Sequence, residues 1–167
     1  MNYKTIKRSE EYLNDKNCCT VVASSIAFDI PFKKMQDLFF KHGRKRNKGY
    51  WMSSIIFELA KKFNYKVDCF EKKILKRTYN LKTGSYNKTY IWAQTHKDNK
   101  ELKYNEQPTV QGLPTDLTVN NCLDYLSTGN FIMSVSGHVA CIKNGSVEDW
   151  SNGKKLRAQK LYRIKKS

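Results

Sequence analysis

The chain has 167 residues, of which 40% are hydrophobic and 13% aromatic, and it carries a formal net charge of +16. This length and apolar content suffice for one domain with a buried core, and they exclude a wholly disordered tail. The charge favours nucleic acid, acidic protein surfaces or anionic membranes as partners. However, most of the excess is lysine spread along the whole chain, which also fits a bias in the base composition of the coding genome.

Cysteine usage and targeting signals narrow the class of protein. Five cysteines occur, an odd number, and none has CxxC spacing, which argues against a disulfide framework or a zinc ribbon and fits a reducing compartment. We find neither a secretory signal nor a run of residues that could span a bilayer, so we expect a cytoplasmic protein without a membrane partner. Metalloprotease, P-loop and dinucleotide-binding patterns do not occur, and we expect neither a metal nor a cofactor.

The first part of the chain predicts helices. Residues 1–17 are polar and are expected to form an irregular lead-in. From Cys18 onward, apolar residues recur at the spacing of one helix face, although the β-branched content leaves this helix dependent on tertiary packing. Amphipathic helices are expected over residues 31–43 and 51–64, with a basic loop at 44–49 between them.

The remainder of the chain predicts a sheet. The expected strands cover residues 65–70, 89–93, 130–136, 138–143, 146–150 and 160–166. Residues 71–116 form a variable insert, and a short helix should run from Thr118 to a stop at Gly129. The C-terminal residues 154–166 have the alternation and the lysines of an edge strand. Helices first and an antiparallel sheet afterwards predict a single α+β domain over residues 1–167.

The stretch HVACIKNGSVEDW contains the strongest local signal. Asn144-Gly145 between two apolar runs predicts a hairpin with a two-residue type I′ turn. In that register His138 and Asp149 share a face as diagonal neighbours, with backbones roughly 7 Å apart. A carboxylate on one imidazole nitrogen fixes the tautomer and raises the basicity of the other nitrogen. Taken alone, the pattern is also typical of an ordinary sheet histidine beside a surface acid.

Two adjacent cysteines, Cys18 and Cys19, begin the most apolar helix. The positive end of a helix dipole lowers the pKa of a thiol there, and the alternative is that both residues are small buried hydrophobes. A cysteine that starts a helix, followed far downstream by His138 and Asp149 on antiparallel strands, resembles the papain-like cysteine peptidase arrangement.

The resemblance is closest to small papain-like proteins, many of them found in bacteriophages. Those open with a segment such as D-C-V-V-R-A-L-A and an X-Pro-Tyr turn, continue into a G-R-K loop, and close with V-S-G-H, a turn glycine and D-T/W. The corresponding segments here are NCCTVVASSIAFDIPF, FKKMQDLFFKHGRKRNKG, TVNNCLDYL and NFIMSVSGHVACIKNGSVEDW. They cover roughly residues 14–63 and 117–150, about half of the chain.

The resemblance implies a papain-like fold with a Cys-His-Asp triad. Matching from the turn proline Pro31 and the helix alanines places the nucleophile at Cys19 rather than Cys18. His138 would then shuttle the proton, and Asp149 would orient His138. One departure is Val22, which stands where the family commonly has an arginine.

Further site residues also follow from the resemblance. The backbone N–H of Cys19 would donate to an oxyanion, with a second donor from an upstream amide at Asn14 or Asn17. Asn14 has the better spacing, while Asn17 could simply cap the helix. Trp150 matches the aromatic residue that shields the histidine–acid hydrogen bond from water, and ordinary core packing would explain it equally well.

These features predict a thiol hydrolase, either a cysteine peptidase or an amidase/isopeptidase. Its substrate would be a protein or peptide, with the net charge favouring an acidic one, and a phage-encoded enzyme would act in the host cytoplasm. The alternative is a non-catalytic basic protein on the same scaffold that engages a host protein or nucleic acid. Aromatic residues among lysines at 79–104 could stack on single-stranded nucleic acid, and the 44–49 loop could bind phosphates or simply be solvated.

Overall fold

The computed structural model describes residues 1–167, in which helices pack against one face of a seven-stranded antiparallel sheet. The helices are α1 Tyr3–Lys7, α2 Glu10–Leu13, α3 Cys19–Ala27, α4 Phe32–Lys41 and α5 Ile56–Phe63. The strands are β1 Tyr65–Asn80, β2 Ser85–Lys97, β3 Lys100–Glu101, β4 Asn130–Val135, β5 His138–Lys143, β6 Ser146–Val147 and β7 Ala158–Lys166. Their order in the sheet is β3-β2-β1-β7-β4-β5-β6. The predicted α+β class is confirmed.

Strand alternation gives the sheet two apolar faces. In β4, Ile132 contributes to the core on the helix side, whereas Phe131 and Met133 contribute to a second core on the opposite side. That second core is covered by the irregular segment 117–126, from which Leu117 and Leu126 are buried. Burial of both faces explains why the strand β5 is continuously apolar from Val139 to Ile142.

The three longer helices lie close to their predicted positions. All residues of α3 after Cys19 are buried, so packing stabilises it despite its mediocre propensity. Pro31 precedes α4, as expected for a residue with a preset φ. The third amphipathic helix is split, because Met52–Ser54 forms a 3-10 turn before α5. None of the helices combines the length and the apolar character needed to cross a membrane.

The expected irregular lead-in at residues 1–17 is wrong, since this segment forms α1 and α2. The side chains of Asn2 and Ser9 cap the two helices by accepting backbone N–H groups. Ile6 anchors the segment in the core on the helix side. Helices of five and four residues are too short to show an apolar period in the sequence.

The helix predicted from Thr118 to Gly129 is also wrong. Only Cys122–Asp124 forms a 3-10 turn. The Asn121 side chain accepts hydrogen bonds from the Thr118 backbone N–H and hydroxyl, and Thr118 forms a β-bridge with Arg157. These local bonds compete with helix formation, as asparagine and threonine side chains often do.

The C-terminal strand β7 is central, which corrects the prediction of an edge strand. It lies between β1 and β4 and is hydrogen-bonded to both. Its lysines are compatible with this position because Lys160 pairs with Glu71 and Lys165 pairs with Asp68 on β1. Lysines on a strand therefore do not identify an edge when the neighbouring strand carries acids.

The insert at 71–116 contains more regular structure than the single predicted strand at 89–93. β1 and β2 pair over their whole length and are joined by a turn at residues 81–84. β1 pairs with β7 only as far as Glu71. Beyond that residue the two strands continue as a ribbon, residues 72–91, that no third strand joins.

Candidate active site

The turn at Asn144-Gly145 has the predicted conformation. Both residues have positive φ, 48° and 75°, as a type I′ turn requires. Lys143 pairs with Ser146, which confirms the predicted register. A Cβ at Gly145 would lie 2.9 Å from the backbone oxygen of Ser127. This close contact and the positive φ both exclude a side chain at this position.

This register brings the predicted histidine and aspartate into contact. His138 Nε2 lies 3.0 Å from Asp149 Oδ2, with the two side chains only 7% and 5% exposed. The strand β6 ends at Val147, and the chain then turns so that Asp149 reaches across to the start of β5. The strand predicted over 146–150 is therefore too long, and the expected contact between His138 and Asp149 is made by the turn that follows β6 rather than by diagonal pairing of two strands.

Ser151 holds the other oxygen of the carboxylate. Its backbone N–H donates to Asp149 Oδ1 over 2.7 Å, and its hydroxyl donates to the same oxygen. Ser151 is completely buried. Sequence reasoning missed this residue, although an aspartate two residues before a serine is a known turn signal in which the carboxylate accepts the later N–H.

Trp150 covers the histidine from the solvent side. Its ring centroid lies 4.6 Å from that of His138 at an interplanar angle of 46°, and the tryptophan is 56% exposed. This exposure is too high for a core residue. Its position agrees with the expected shielding of the His138–Asp149 hydrogen bond from water.

Cys19 is the first residue of α3, directly after the left-handed residue Asn17 (φ 57°) and the buried Cys18. Its thiol is partly exposed, whereas the other four cysteines are buried. α3 packs on β5, so the start of this helix lies beside His138 at the start of that strand. The two thiols at 18 and 19 therefore have different environments despite being adjacent.

The pKa values separate these two thiols. Burial raises the pKa of Cys18 to about 11. Burial also raises the pKa of Cys19, but its interactions with His138, the Val139 backbone and Thr20 outweigh this and bring it below its ordinary value. Burial lowers the pKa of His138, yet Asp149 and Cys19 together raise it to about 9. The pair therefore favours thiolate and imidazolium at neutral pH.

The two predicted oxyanion amides lie in different places. Asn14 is an exposed residue at the end of α2 and does not line the cavity beside Cys19. Asn17 does line that cavity, and its side-chain N–H donates to the Asn47 carbonyl over 3.2 Å. Asn17 does not cap α3, which has Cys18 at its N-cap and no capping side-chain bond. Cys19 is the first residue of α3, so its backbone N–H has no acceptor within the helix.

A buried ion pair holds the chain just before Cys19. Asp15 and Arg44 are both fully buried, with guanidinium–carboxylate distances of 2.6 and 3.0 Å. Asp15 also accepts hydrogen bonds from the Gln36 side chain and the Asn47 backbone N–H. Burial raises the pKa of Asp15, but these donors lower it below its ordinary value. Arg44 thus departs from the solvated basic loop expected at 44–49.

Two cavities meet at the thiol and imidazole. One, of about 540 Å³, is walled by the N-terminal helices and Trp150. The other, of about 380 Å³, is walled by residues 50–53 and by β4 and β7. Both are lined by Cys19, Gly49, Gly137 and His138. Together the cavities form a groove on both sides of the reactive pair, and the mispredicted lead-in supplies one of its walls.

The remaining titratable clusters do not form a comparable site. His42 pairs with Glu58 at 3.2 Å on the surface, and His96 packs against Phe57. No group of three His, Cys, Asp or Glu side chains is arranged so that it could hold a metal ion. Burial raises the pKa values of Cys69 and Cys122 to about 11.

The chain was also compared with other proteins. Comparison with protein families, with curated proteins and with solved structures gives no match.

Proposed function

We propose that the protein is a papain-like thiol hydrolase, either a cysteine peptidase or an amidase/isopeptidase. The observation that carries this proposal is a partly exposed thiol of lowered pKa that interacts with a histidine of raised pKa, itself hydrogen-bonded to a buried aspartate. The surrounding groove extends on both sides of the thiol, as a substrate chain that continues past the cleaved bond requires.

The thiolate of Cys19 attacks the carbonyl carbon, and the carbonyl oxygen becomes an oxyanion. The backbone N–H of Cys19 stabilises that oxyanion, with Asn17 as the side-chain amide that lines the cavity of about 540 Å³. The His138 imidazolium donates its proton to the leaving amine as the C–N bond breaks, which leaves a thioester. His138 then takes a proton from water, the resulting hydroxide attacks the thioester, and the carboxylic acid and the thiolate are released.

Asp149, Ser151 and Trp150 act through the histidine rather than on the substrate. Asp149 fixes the ring and stabilises the imidazolium, and Ser151 holds the carboxylate in place. Trp150 limits the access of water to the hydrogen bond, which strengthens it. The net charge of +16 favours an acidic protein or peptide as the substrate. Five free cysteines fit a reducing, cytoplasmic site of action.

Selective alkylation tests the assignment of the nucleophile. Iodoacetamide at pH 6 should modify Cys19 alone, because every other cysteine has a raised pKa. The alkylation rate of Cys19 should remain substantial below neutral pH. It should change near pH 9, where His138 loses its proton. Peptide mapping by mass spectrometry identifies the modified residue.

Cys18→Ala is the matched control for Cys19→Ala. The first variant should alkylate like the wild type and the second should not. Labelling that persists in Cys19→Ala and disappears only on loss of Cys69 or Cys141 would show that the assignment is wrong. Turnover is tested by comparing new N-termini in a lysate treated with wild type or with Cys19→Ala. A reactive Cys19 without any Cys19-dependent cleavage would favour the non-catalytic alternative.

A further inference from the structure

The ribbon, residues 72–91, is a strongly basic surface outside the groove. It contains six lysine or arginine residues and no acidic residue. None of the six takes part in an ion pair. Nearly all of its side chains beyond Lys73 are exposed. The proposed hydrolysis assigns no role to this surface.

The register of the ribbon places cations and tyrosines in alternating rows on one face. Tyr79 pairs with Tyr86, and Arg77 pairs with Lys88, one row closer to the sheet. Directly opposed residues share a face, as do residues two apart, so these rows lie about 7 Å from one another on the same face. Tyr90 lies two residues after Lys88 on β2 and so continues this face, although the pairing register shifts on β1 between Ile74 and Lys76.

The rows have properties of a binding surface rather than of a stabilised hairpin. Arg77 and Lys88 are like charges placed directly opposite each other, which destabilises an isolated hairpin unless an anion lies between them. Tyr79 and Tyr86 are 50% and 62% exposed, although their ring centroids are only 5.0 Å apart. Their outer faces are free to stack on a flat partner.

The basic surface continues from the ribbon onto the body of the protein. A cavity of about 490 Å³ at the base of the ribbon is lined by Lys72, Tyr90, Lys155 and Arg157 and by no acidic residue. The Nζ atom of Lys72 lies over the Tyr90 ring, 4.7 Å from its centroid, so a cation and an aromatic face are also adjacent here. The cavity therefore extends the same alternation of charge and aromatic surface.

We propose that this face of the ribbon and the cavity at its base bind single-stranded nucleic acid. The cations contact the phosphates, and Tyr79, Tyr86 and Tyr90 stack on unpaired bases. A single strand fits better than a duplex, because the tyrosines need bases whose faces are free. An acidic protein would match the charge but would leave the aromatic rows without a partner. This binding does not depend on the proposed hydrolysis.

Fluorescence anisotropy with labelled oligothymidylate and oligouridylate tests the site in the 167-residue protein that carries Cys19→Ala. Tyr79→Ala with Tyr86→Ala should weaken binding at least about five-fold, whereas phenylalanine at both positions should retain it. Arg77→Gln with Lys88→Gln should make the slope of log K against log salt shallower by about 1.4. Lys61→Gln with Lys62→Gln, on α5, removes the same charge and should leave the slope unchanged.

Several outcomes would overturn the proposal. These are no binding of either strand, tighter binding of a matched duplex, or an equal loss in the ribbon and α5 charge variants. Wild-type affinity after removal of both tyrosines would do so too. Equal, tyrosine-dependent binding to polyglutamate or to phosphatidylserine vesicles would instead indicate an acidic protein or a membrane as the partner. Because the catalytic thiol is absent, failure of the hydrolase proposal would leave this result unaffected.

Discussion

Methionine in place of Arg44 leaves the Asp15 carboxylate buried without its cation. Both side chains have no solvent exposure in the folded protein, and two of the four hydrogen bonds to Asp15 come from the guanidinium. Only neutral donors from Gln36 and Asn47 would remain. Removing one partner of a buried ion pair lowers the free energy of unfolding by about 3–5 kcal/mol. That is a large part of the roughly 5–15 kcal/mol by which a domain is stable.

Urea denaturation at pH 7, followed by circular dichroism, measures this loss. Arg46→Met is the matched control, because Arg46 is an exposed arginine of the same loop and should change stability by no more than about 0.5 kcal/mol. A double-mutant cycle with Asp15→Leu isolates the pair. The double variant should lose less stability than the sum of the single variants, by about 2 kcal/mol or more.

The same variant tests how the chain before Cys19 is positioned. The Asn47 side chain accepts the Lys16 backbone N–H over 2.7 Å, and the Asn47 carbonyl accepts the Asn17 amide. In folded Arg44→Met, iodoacetamide should therefore modify Cys19 more slowly than in Arg46→Met at the same temperature.

A loss of urea stability below about 1 kcal/mol in Arg44→Met, or stability losses that simply add in the double variant, would refute the reasoning that the ion pair is tightly coupled and buried.

Three further outcomes are expected. Ser151→Ala removes a bond that holds the Asp149 carboxylate against His138, so the imidazolium is less well stabilised and the alkaline limb of the alkylation profile should shift to lower pH by up to roughly one unit. The loss of this buried hydrogen bond should also cost about 1 kcal/mol or more of stability in urea. Gly145→Ala should destabilise the protein by more than about 1 kcal/mol in urea and by more than Gly84→Ala, because both glycines have positive φ but only the first also meets a backbone atom. Burial raises the pKa of Asp68, but its two cationic partners lower it below the ordinary value. Its stabilisation is complete above an unfolded-state pKa of about 3.9 and is lost as the pH falls through the folded-state value. The effect of Asp68→Asn on urea stability should thus be largest at neutral pH and shrink in acid.

Local interactions explain what could be predicted from the sequence. The helix face in α3 is set by side-chain spacing, and the hairpin register is set by Asn144-Gly145, whose φ values determine which residues share a face. Because the register depends on the parity of a two-residue turn, the contact between His138 and Asp149 could be expected from fewer than fifteen residues. The antiparallel sheet after the helices follows from the order of the same local patterns.

Long-range contacts decided the features that were mispredicted or missed. β7 is central because β1, some ninety residues earlier, supplies Glu71 and Asp68 to its lysines. The lead-in becomes a wall of the groove because Ile6 reaches the core on the helix side. Asn14 has the expected spacing from the thiol but lies outside the cavity, since spacing does not specify how α2 ends.

The sequence by itself determined that a thiol, an imidazole and a carboxylate were available, and that the last two would meet. The family resemblance predicted Cys19 rather than Cys18 as the nucleophile, but only the tertiary structure supplies a physical reason, because these two identical side chains have opposite pKa shifts. A pKa depends on solvent exposure and on the charges within a few ångströms, and for Cys19 the decisive charge is on His138, far along the chain. The sequence thus shows which functional groups are present, whereas the reactivity of the Cys19 thiol depends on the tertiary contact with His138.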